Sequence, residues 1–600
     1  MNTDIAIVGV SVDVPGAGDL DAFWRVISTG GSSVRPFPQD RRRKLDEYIH
    51  YLRATSIDPL NEPDIDYHNG SFLDTVDTFD YAAFGMNPRQ ATLTDPHHRM
   101  VLRAMFLAFE DAGYSADRLR GSRTGVFVGF AVNPGSTYLD YICRIDPTVG
   151  QQAITGNIPT MLANRLSHLL DLRGPSLVVD TACSATLVAV HQAKNALLVG
   201  DCDMAVVGGA RIVFAPVKHP HSNIGIESSD GVTRTFDEAA DGTGFGEGSG
   251  AVVLKRMERA LADGDQIYAV LKGSAVNHDG NTEGITNPDS DSQADLLLAA
   301  WRNADVDPRT IGYFEAHGTA TRVGDPIEHE GMKRAFAKHT DDRGFCAVGT
   351  VKANVGHLFE GSGVIGLIKA VAVLRNRMIP PQANFSTPNP KLDFASGPLY
   401  IPTALSPWES EGPRRCGVSA FGLGGTNAHA VLEEYTSPEP QAPSEGEVLV
   451  TLSAATPRSL TWLVERYLRF IDGGALAGVD IADIAYTTRV SRSSHRHRVA
   501  VVASDVDDLR RGLAELLVNG QRPITGALAA QAKAYLSGGP VDSSPPADRA
   551  PRIVRLPGYA FDERPGCSAP SSARPTPGSS SITISSSWPR RSACSPGWPS

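Results

Sequence analysis

The chain has 600 residues, 41% apolar and 20% charged, and carries a formal net charge of −11. This length allows several domains with large cores; the composition is that of a globular protein, and the acidic balance, with no basic tract or reader motif, argues against a nucleic-acid binder. No apolar run reaches membrane-spanning length, Met1-Asn-Thr-Asp4 has no signal-peptide pattern, and seven scattered cysteines without a CxxC pair fit a reducing cytoplasm better than a disulfide scaffold or a zinc site.

Over residues 1–435, apolar strand-like runs alternate with helical patterns, for example at 204–207, 251–254 and 363–369. The alternation predicts an α/β class with buried sheets. Arg41-Arg-Arg-Lys44 reads as a solvated face. His97 with His98, and His219 with His221, lack a third ligand at metal spacing and read as packing or solvated residues. Residues 176–180, Ser-Leu-Val-Val-Asp, read as a strand that breaks at small residues and re-emerges as a helix with Leu187, Val190 and Ala193 on one face. Cys183 sits where that helix begins. Unpaired N–H groups and the positive helix end are expected to stabilise a thiolate and an adjacent oxyanion there. The glycine-rich run 242–250 leads into an apolar strand and lacks a Gly-Lys-Ser/Thr ending, so it is not read as a phosphate loop.

Two histidines follow short apolar segments. Residues 311–314 lead to Glu315-Ala-His317-Gly-Thr319-Ala-Thr321, with Asp325 and Glu328 beyond; residues 347–351 lead to Lys352-Ala-Asn354-Val-Gly-His357. Both are placed at strand ends, like Cys183, and such ends converge on one site in α/β folds. A lone Cys or His is ordinarily a packing residue; three in matching positions point to a site. Residues 436–447 read as a linker. Residues 448–530 read as a small α/β unit, with strands at 448–452 and 499–502 and helices at 460–470 and 506–518. From Gly566 the chain is Ser/Pro/Arg-rich, which predicts disorder.

With Gly417-Val-Ser-Ala-Phe421-Gly-Leu423-Gly-Gly-Thr426-Asn427-Ala-His429 near the end of the first region, the Cys–His–His set resembles the β-ketoacyl synthase family. More narrowly, it is similar to the ketosynthase domains of modular type I polyketide synthases. Ile5-Ala-Ile-Val-Gly9, Asp95-Pro96 with Arg99, Arg234-Thr-Phe-Asp237 and Gly246-Glu-Gly248 support the likeness, which runs from residue 4 to 435. The resemblance implies a duplicated, layered thiolase-like fold, usually homodimeric. It divides the chain into a ketosynthase domain (1–435), a linker (436–447), a small α/β linker domain (448–530), a segment wrapping back onto the ketosynthase (531–565, with Tyr535 and 554–561) and a disordered tail (566–600).

The chemistry so implied is decarboxylative Claisen condensation of a Cys-bound acyl chain with a malonyl-type thioester on an acyl carrier protein. Cys183 would be the nucleophile, and His317 and His357 would polarise the malonyl thioester as neutral N–H donors. The backbone N–H groups of Cys183 and Leu423 would form the oxyanion hole. Lys352 would organise the histidines, and Thr319 and Thr321 would hydrogen-bond the phosphopantetheine arm. Leu423 stands where the family usually has phenylalanine, Ala320 where it has glycine, and His97-His98 where it has glutamines; Asn427 reads as a loop-stabilising residue. No metal or organic cofactor is implied, because the substrates arrive on phosphopantetheine. The sequence holds no Gly-x-Ser-x-Gly elbow and no Asp-Ser-Leu carrier motif. The likeness therefore implies a borrowed carrier and a separate acyltransferase, a trans-acyltransferase-like arrangement in the cytoplasm. The tail, departing after Tyr559-Ala-Phe561 from the family's usual continuation, reads as out-of-frame translation. An alternative is a non-elongating platform that docks carriers and passes acyl chains on, usually marked by a lost histidine. A degradative thiolase is a third, weaker reading, since its usual second cysteine is not evident.

Overall fold

The computed structural model describes residues 3–54, 66–132, 137–217, 225–436, 444, 446–540 and 552–565. The tail from 566, most of the 436–447 linker, and His219 and His221 lie outside the described residues.

Five strands of the first half are β1 (Ile5–Asp13), β2 (Thr124–Gly129), β3 (Ser176–Val179), β4 (Met204–Arg211) and β5 (Gly248–Arg256). The second half supplies β6 (Ala269–His278), β7 (Ile311–Glu315), β8 (Cys346–Gly349), β9 (Leu399–Tyr400), β10 (Arg415–Phe421) and β11 (Thr426–Glu434). Their order is β9-β8-β7-β10-β11-β6-β1-β5-β4-β2-β3. Along β1-β5-β4-β2-β3 the pairings run antiparallel, antiparallel, parallel, parallel. Along β6-β11-β10-β7-β8 the same succession recurs. The halves meet where Ile5–Ile7 of β1 pairs with Ala269–Leu271 of β6. The fold is a duplication written in its hydrogen bonds.

Helices α1 (Pro96–Asp111), α2 (Ala185–Val199), α3 (Ser290–Ala304), α4 (Gly324–Phe336) and α5 (Ser362–Asn376) complete the layers. α2 and α5 pack on one another and on strands of both halves, while α1 covers the outer face of the first half and α3 that of the second. A helix apolar on every side must be covered on every side, and α5 is buried from Ser362 to Leu374. The run 363–369 therefore lies inside a central helix; its composition alone does not separate such a helix from a buried strand. In α2 the expected face of Leu187, Val190 and Ala193 is buried, and so are Thr186, Val188 and Ala189 on its other sides.

Beyond the duplication, β12 (Val448–Ala454) pairs antiparallel with β13 (His497–Ala503). Helices α6 (Pro457–Asp472), α7 (Ile481–Val490) and α8 (Val506–Asn519) cover that pair around Tyr467, Ile484, Leu509 and Leu513. A further helix, Ala529–Leu536, lies across residue 530 and packs Ala532 and Tyr535 on Leu449 and Ala500. The small unit thus extends beyond its expected end, because these apolar residues cover one face of its two-stranded sheet. Residues 552–565 bridge the two bodies. Leu556 and Ala560 enter the small core, and Tyr559 and Phe561 enter the core beneath α1. The Tyr559 N–H donates to Glu110 Oε2 at 2.7 Å, and Arg492 donates to the carbonyls of Glu110 and Pro557 at 2.6 and 3.0 Å.

The basic run at 41–44 is not a uniform solvated face. Arg42, Arg43 and Lys44 are solvated on the helix Gln39–Ala54, but Arg41 is buried. Its guanidinium forks onto both oxygens of Glu247 at 2.5 and 2.8 Å. Glu247 also accepts the N–H groups of Leu73 and Val213. A buried carboxylate needs that many donors to remain charged, and the sequence pattern of one helix cannot reveal a partner about two hundred residues away.

Candidate active site

Where β3 ends, the chain turns through Asp180 and Thr181 into a single 3-10 turn, Ala182–Ser184, that opens α2. Ala182 adopts φ +52°, a left-handed conformation costing a non-glycine residue roughly 1–2 kcal/mol. The turn is held by the Ala182 N–H on Asp180 Oδ1 at 3.2 Å and by Ser184 Oγ on the Thr181 carbonyl at 2.9 Å. Cys183 sits in this strained turn and is 7% exposed.

The loop between β10 and β11 lies against the same turn. A Cβ on Gly422 would stand 2.3 Å from the Thr181 carbonyl oxygen, so only glycine permits the approach. The next N–H, that of Leu423, acts on the Cys183 thiol and favours its thiolate form, while the Leu423 side chain is exposed. Gly422→Ala is therefore expected to push the loop away and to slow acylation of Cys183 by roughly 10²–10³-fold. Gly424→Ala, whose Cβ would meet nothing within 4 Å, should acylate normally. Mass spectrometry of the acyl adduct separates the two; equal adduct formation would refute the role given to the close approach.

His317 follows β7. Its N–H and that of Gly318 donate to the two oxygens of Glu328 at 2.7 and 2.8 Å, and the Ala320 N–H donates to Asp325 Oδ1 at 2.9 Å. Two acids from the start of α4 thus tie down the histidine loop. Ala320, at φ +58°, takes up a conformation glycine would adopt without strain. The Phe421 N–H donates to His317 Nδ1 at 3.3 Å.

His357 follows β8 and the short helix Lys352–Val355. Its own N–H donates to the Gly244 carbonyl and its carbonyl accepts from Gly246, in bonds of 2.8 and 3.0 Å. Its Nδ1 accepts from the Phe359 N–H at 3.1 Å and lies 2.7 Å from Ser362 Oγ. With Nδ1 of each ring occupied by a donor, the hydrogen bonds assign the ring proton of both neutral imidazoles to Nε2. The rings stand 5.7 Å apart and nearly perpendicular.

Lys352 is buried and acts electrostatically on Cys183, His317 and His357 together, so the site residues separated by up to 174 positions share one environment. Burial, with the Lys352 charge behind it, holds both imidazoles well below the usual histidine range. Burial likewise lowers the Lys352 ammonium, opposed by Glu315 and Glu328. Glu315 is itself bound by Tyr313 Oη, the Val351 N–H and Lys369 Nζ at 2.9, 2.6 and 3.1 Å.

Burial pushes the Cys183 thiol up to about 11, and Glu360 adds to the rise; Lys352, Arg211 and the Leu423 N–H pull the other way without overcoming it. This corrects the expectation of a stabilised thiolate, because removing the sulfur from water outweighs the helix terminus. The resting group is a thiol. Its alkylation by iodoacetamide should accelerate about tenfold per unit between about pH 7 and 9. A rate already flat in that interval would contradict a raised value.

Thr321 is half-buried and its Oγ accepts the Gly324 N–H at 3.0 Å; Thr319 is half-buried in the same loop. Asn427 donates to Asp279 Oδ1 at 2.6 Å. His97 is buried between Asp95 Oδ1 and the Ile212 N–H, and His98 is buried with no hydrogen-bond partner among the described residues and held at about 4 by desolvation. Among the described residues no group of three or more His, Cys, Asp or Glu side chains could hold a metal ion. Sequence reading missed the structural parts of Glu315, Asp325, Glu328, Arg211, Phe359 and Glu360. Of these, Glu315, Asp325 and Glu328 stand in the motif around His317, the last two three residues apart on the first turn of the helix after it.

Three family models match in succession: the β-ketoacyl synthase N-terminal domain over residues 2–260, its C-terminal domain over 268–386, and the ketoacyl-synthetase C-terminal extension over 388–502. The junction of the first two falls between β5 and β6, where the duplication divides. Polyketide synthase PksN of Bacillus subtilis (strain 168) is 36% identical over 529 residues, 85% of this chain but 9% of that protein. Polyketide synthase ThaG of Burkholderia thailandensis is 38% identical over 525 residues, 84% of this chain and 9% of that protein. The chain thus spans a minor part of these relatives. Among solved structures, the ketosynthase from module 6 of the bacillaene synthase of Bacillus subtilis 168 superposes with a TM-score of 0.80 at 33% identity, covering 94% of this chain and 99% of that one. An oxazolomycin ketosynthase domain of Streptomyces albus JA3453 gives 0.82 at 34%, covering 94% and 98%. Identity above 30% along nearly the whole of solved ketosynthases, on the same duplicated fold, makes this chain a member of the β-ketoacyl synthase family, among the ketosynthases of modular polyketide synthases.

Proposed function

We propose that the chain lengthens carrier-bound acyl chains by decarboxylative condensation, with Cys183, His317 and His357 as its reacting groups. The Cys183 sulfur attacks the carbonyl of an acyl-pantetheine thioester; its proton passes to the departing pantetheine thiol, and the acyl group is held as a new thioester. The N–H groups of Leu423 and Cys183 receive the oxyanion of that step. A malonyl-type thioester then loses carbon dioxide. The electron pair of the broken C–C bond becomes an enolate, whose oxygen is met by the two Nε2–H donors. The enolate carbon attacks the acyl-cysteine, releasing the sulfur and leaving a β-ketoacyl chain on the carrier. The observation that carries this reading is the pair of buried neutral imidazoles, each with Nδ1 engaged and Nε2–H left to donate, in one environment with the thiol. It favours elongation over mere transfer, which needs no enolate donors.

Thr319 and Thr321 line the pantetheine arm in this reading, an acyl carrier protein delivers both substrates, and a separate acyltransferase charges the carrier in the cytoplasm. The working unit is a homodimer. Edge strand β3 carries Leu177 at 49% exposure and has no neighbour on its outer side among the described residues, an arrangement that invites pairing with a second copy. The test is incubation with an acyl thioester followed by malonyl-loaded carrier. Mass spectrometry should find the chain two carbons longer on the carrier; a chain passed on unlengthened would point to a transfer platform instead.

A further inference from the structure

Arg211 ends β4 with its side chain 12% exposed. Its guanidinium reaches both oxygens of Glu360 at 3.2 and 3.3 Å and stands 4.6 Å from the centre of the Phe359 ring. That ring stacks on the His357 imidazole, with centroids 4.5 Å apart and planes 9° from parallel. Phe359 holds φ +45°, a strained conformation for a residue with a side chain. The same backbone geometry brings the Phe359 N–H onto His357 Nδ1. Ring and N–H of one strained residue therefore contact one imidazole, and the Arg211–Glu360 pair braces that residue.

We propose that Arg211 and Glu360, acting through Phe359, are positioning residues that set the plane of the His357 ring and so the direction of its Nε2–H. The inference rests on the role given to His357 above. Lateral freedom of an imidazole stacked on one face is removed by fixing its neighbour, and a misdirected donor loses most of its effect on a developing oxyanion. Arg211 has a second influence. The charged or titratable groups acting on His357 are Lys352 from the short helix, His317 from the loop after β7 and Arg211 from β4, and all three oppose a proton on the ring. Losing Arg211 removes one of them, so His357 would accept a proton at a higher pH.

The test compares the full chain with Arg211→Met, Arg211→Lys and Glu360→Gln, measuring acyl-Cys183 formation and the kcat and KM of condensation from about pH 5.5 to 8. Arg211→Met should still form the acyl adduct but lose roughly tenfold to a hundredfold in kcat at unchanged KM. The acidic limb of its kcat profile should move to higher pH. Arg211→Lys, with the charge but without the flat cation, should recover the limb and not the rate. Glu360→Gln, which leaves the guanidinium in place with a neutral partner, should show a smaller loss of kcat and decides the matter if Arg211→Met does not fold. Wild-type kcat and profile in Arg211→Met, or complete recovery of both by lysine, would overturn the positioning role. A wild-type protein that loads but does not condense would instead defeat the proposed function, whatever the variants do.

Discussion

His317→Ala and His357→Ala are each expected to acylate Cys183 at near wild-type rates and to lose condensation by roughly 10²–10⁴-fold. The division follows from where charge develops. In the loading step one thiol replaces another on the same carbonyl. In the mechanism proposed above, the proton leaving Cys183 is taken by the departing thiol and the oxyanion is received by backbone N–H groups, so that step requires no imidazole. In the second step carbon dioxide leaves behind an electron pair that is tolerable only as an enolate with its oxygen bound. Two neutral donors meet that need better than charged ones, which would have to be kept protonated in a buried site beside Lys352. Single-turnover assays with separate loading and extension phases check this. Loss of loading in either variant would make that imidazole the base that takes the thiol proton; undiminished extension would remove it from the reaction.

Glu247→Ala is expected to destabilise the large body by about 3–5 kcal/mol, because it leaves the Arg41 guanidinium buried and uncompensated. It also strands the N–H groups of Leu73 and Val213. The residue before it, Gly246, donates to the His357 carbonyl, so the loss should reach the site as well. Guanidinium denaturation followed through the large body measures the effect. A loss below about 1 kcal/mol is what an exposed pair gives, and would mean that water replaces the carboxylate.

The candidate residues could be picked out in the sequence because each comes after a strand and is flanked by small residues, a local pattern. The strand–turn–helix around Cys183 and the strand before each histidine could be read in this way. What could not be read depends on contacts between distant segments. Arg41 lies in a basic run whose other members are solvated, and only the fold brings Glu247 to it. The thiol's protonation was misjudged because a helix start is visible in a sequence whereas the depth of burial is not. The central position of α5 was hidden for a related reason: with apolar residues all round, it has no periodicity to distinguish it from a strand. Arg211, Phe359 and Glu360 carry no motif, and their association is apparent only when the end of β4 meets the turn before α5.

The repeated strand pattern has a consequence for how this protein can be divided. The sulfur belongs to the first copy and both imidazoles to the second, and α2 and α5 each have strands of both copies as walls. A polypeptide severed between β5 and β6 would yield two pieces, each with a large apolar helix face open to water and each lacking part of the candidate site. Such pieces would have to fold upon one another to regain either solubility or chemistry, so co-expression of the two should restore what neither has alone. The two halves of the repeated pattern are thus complementary and not interchangeable.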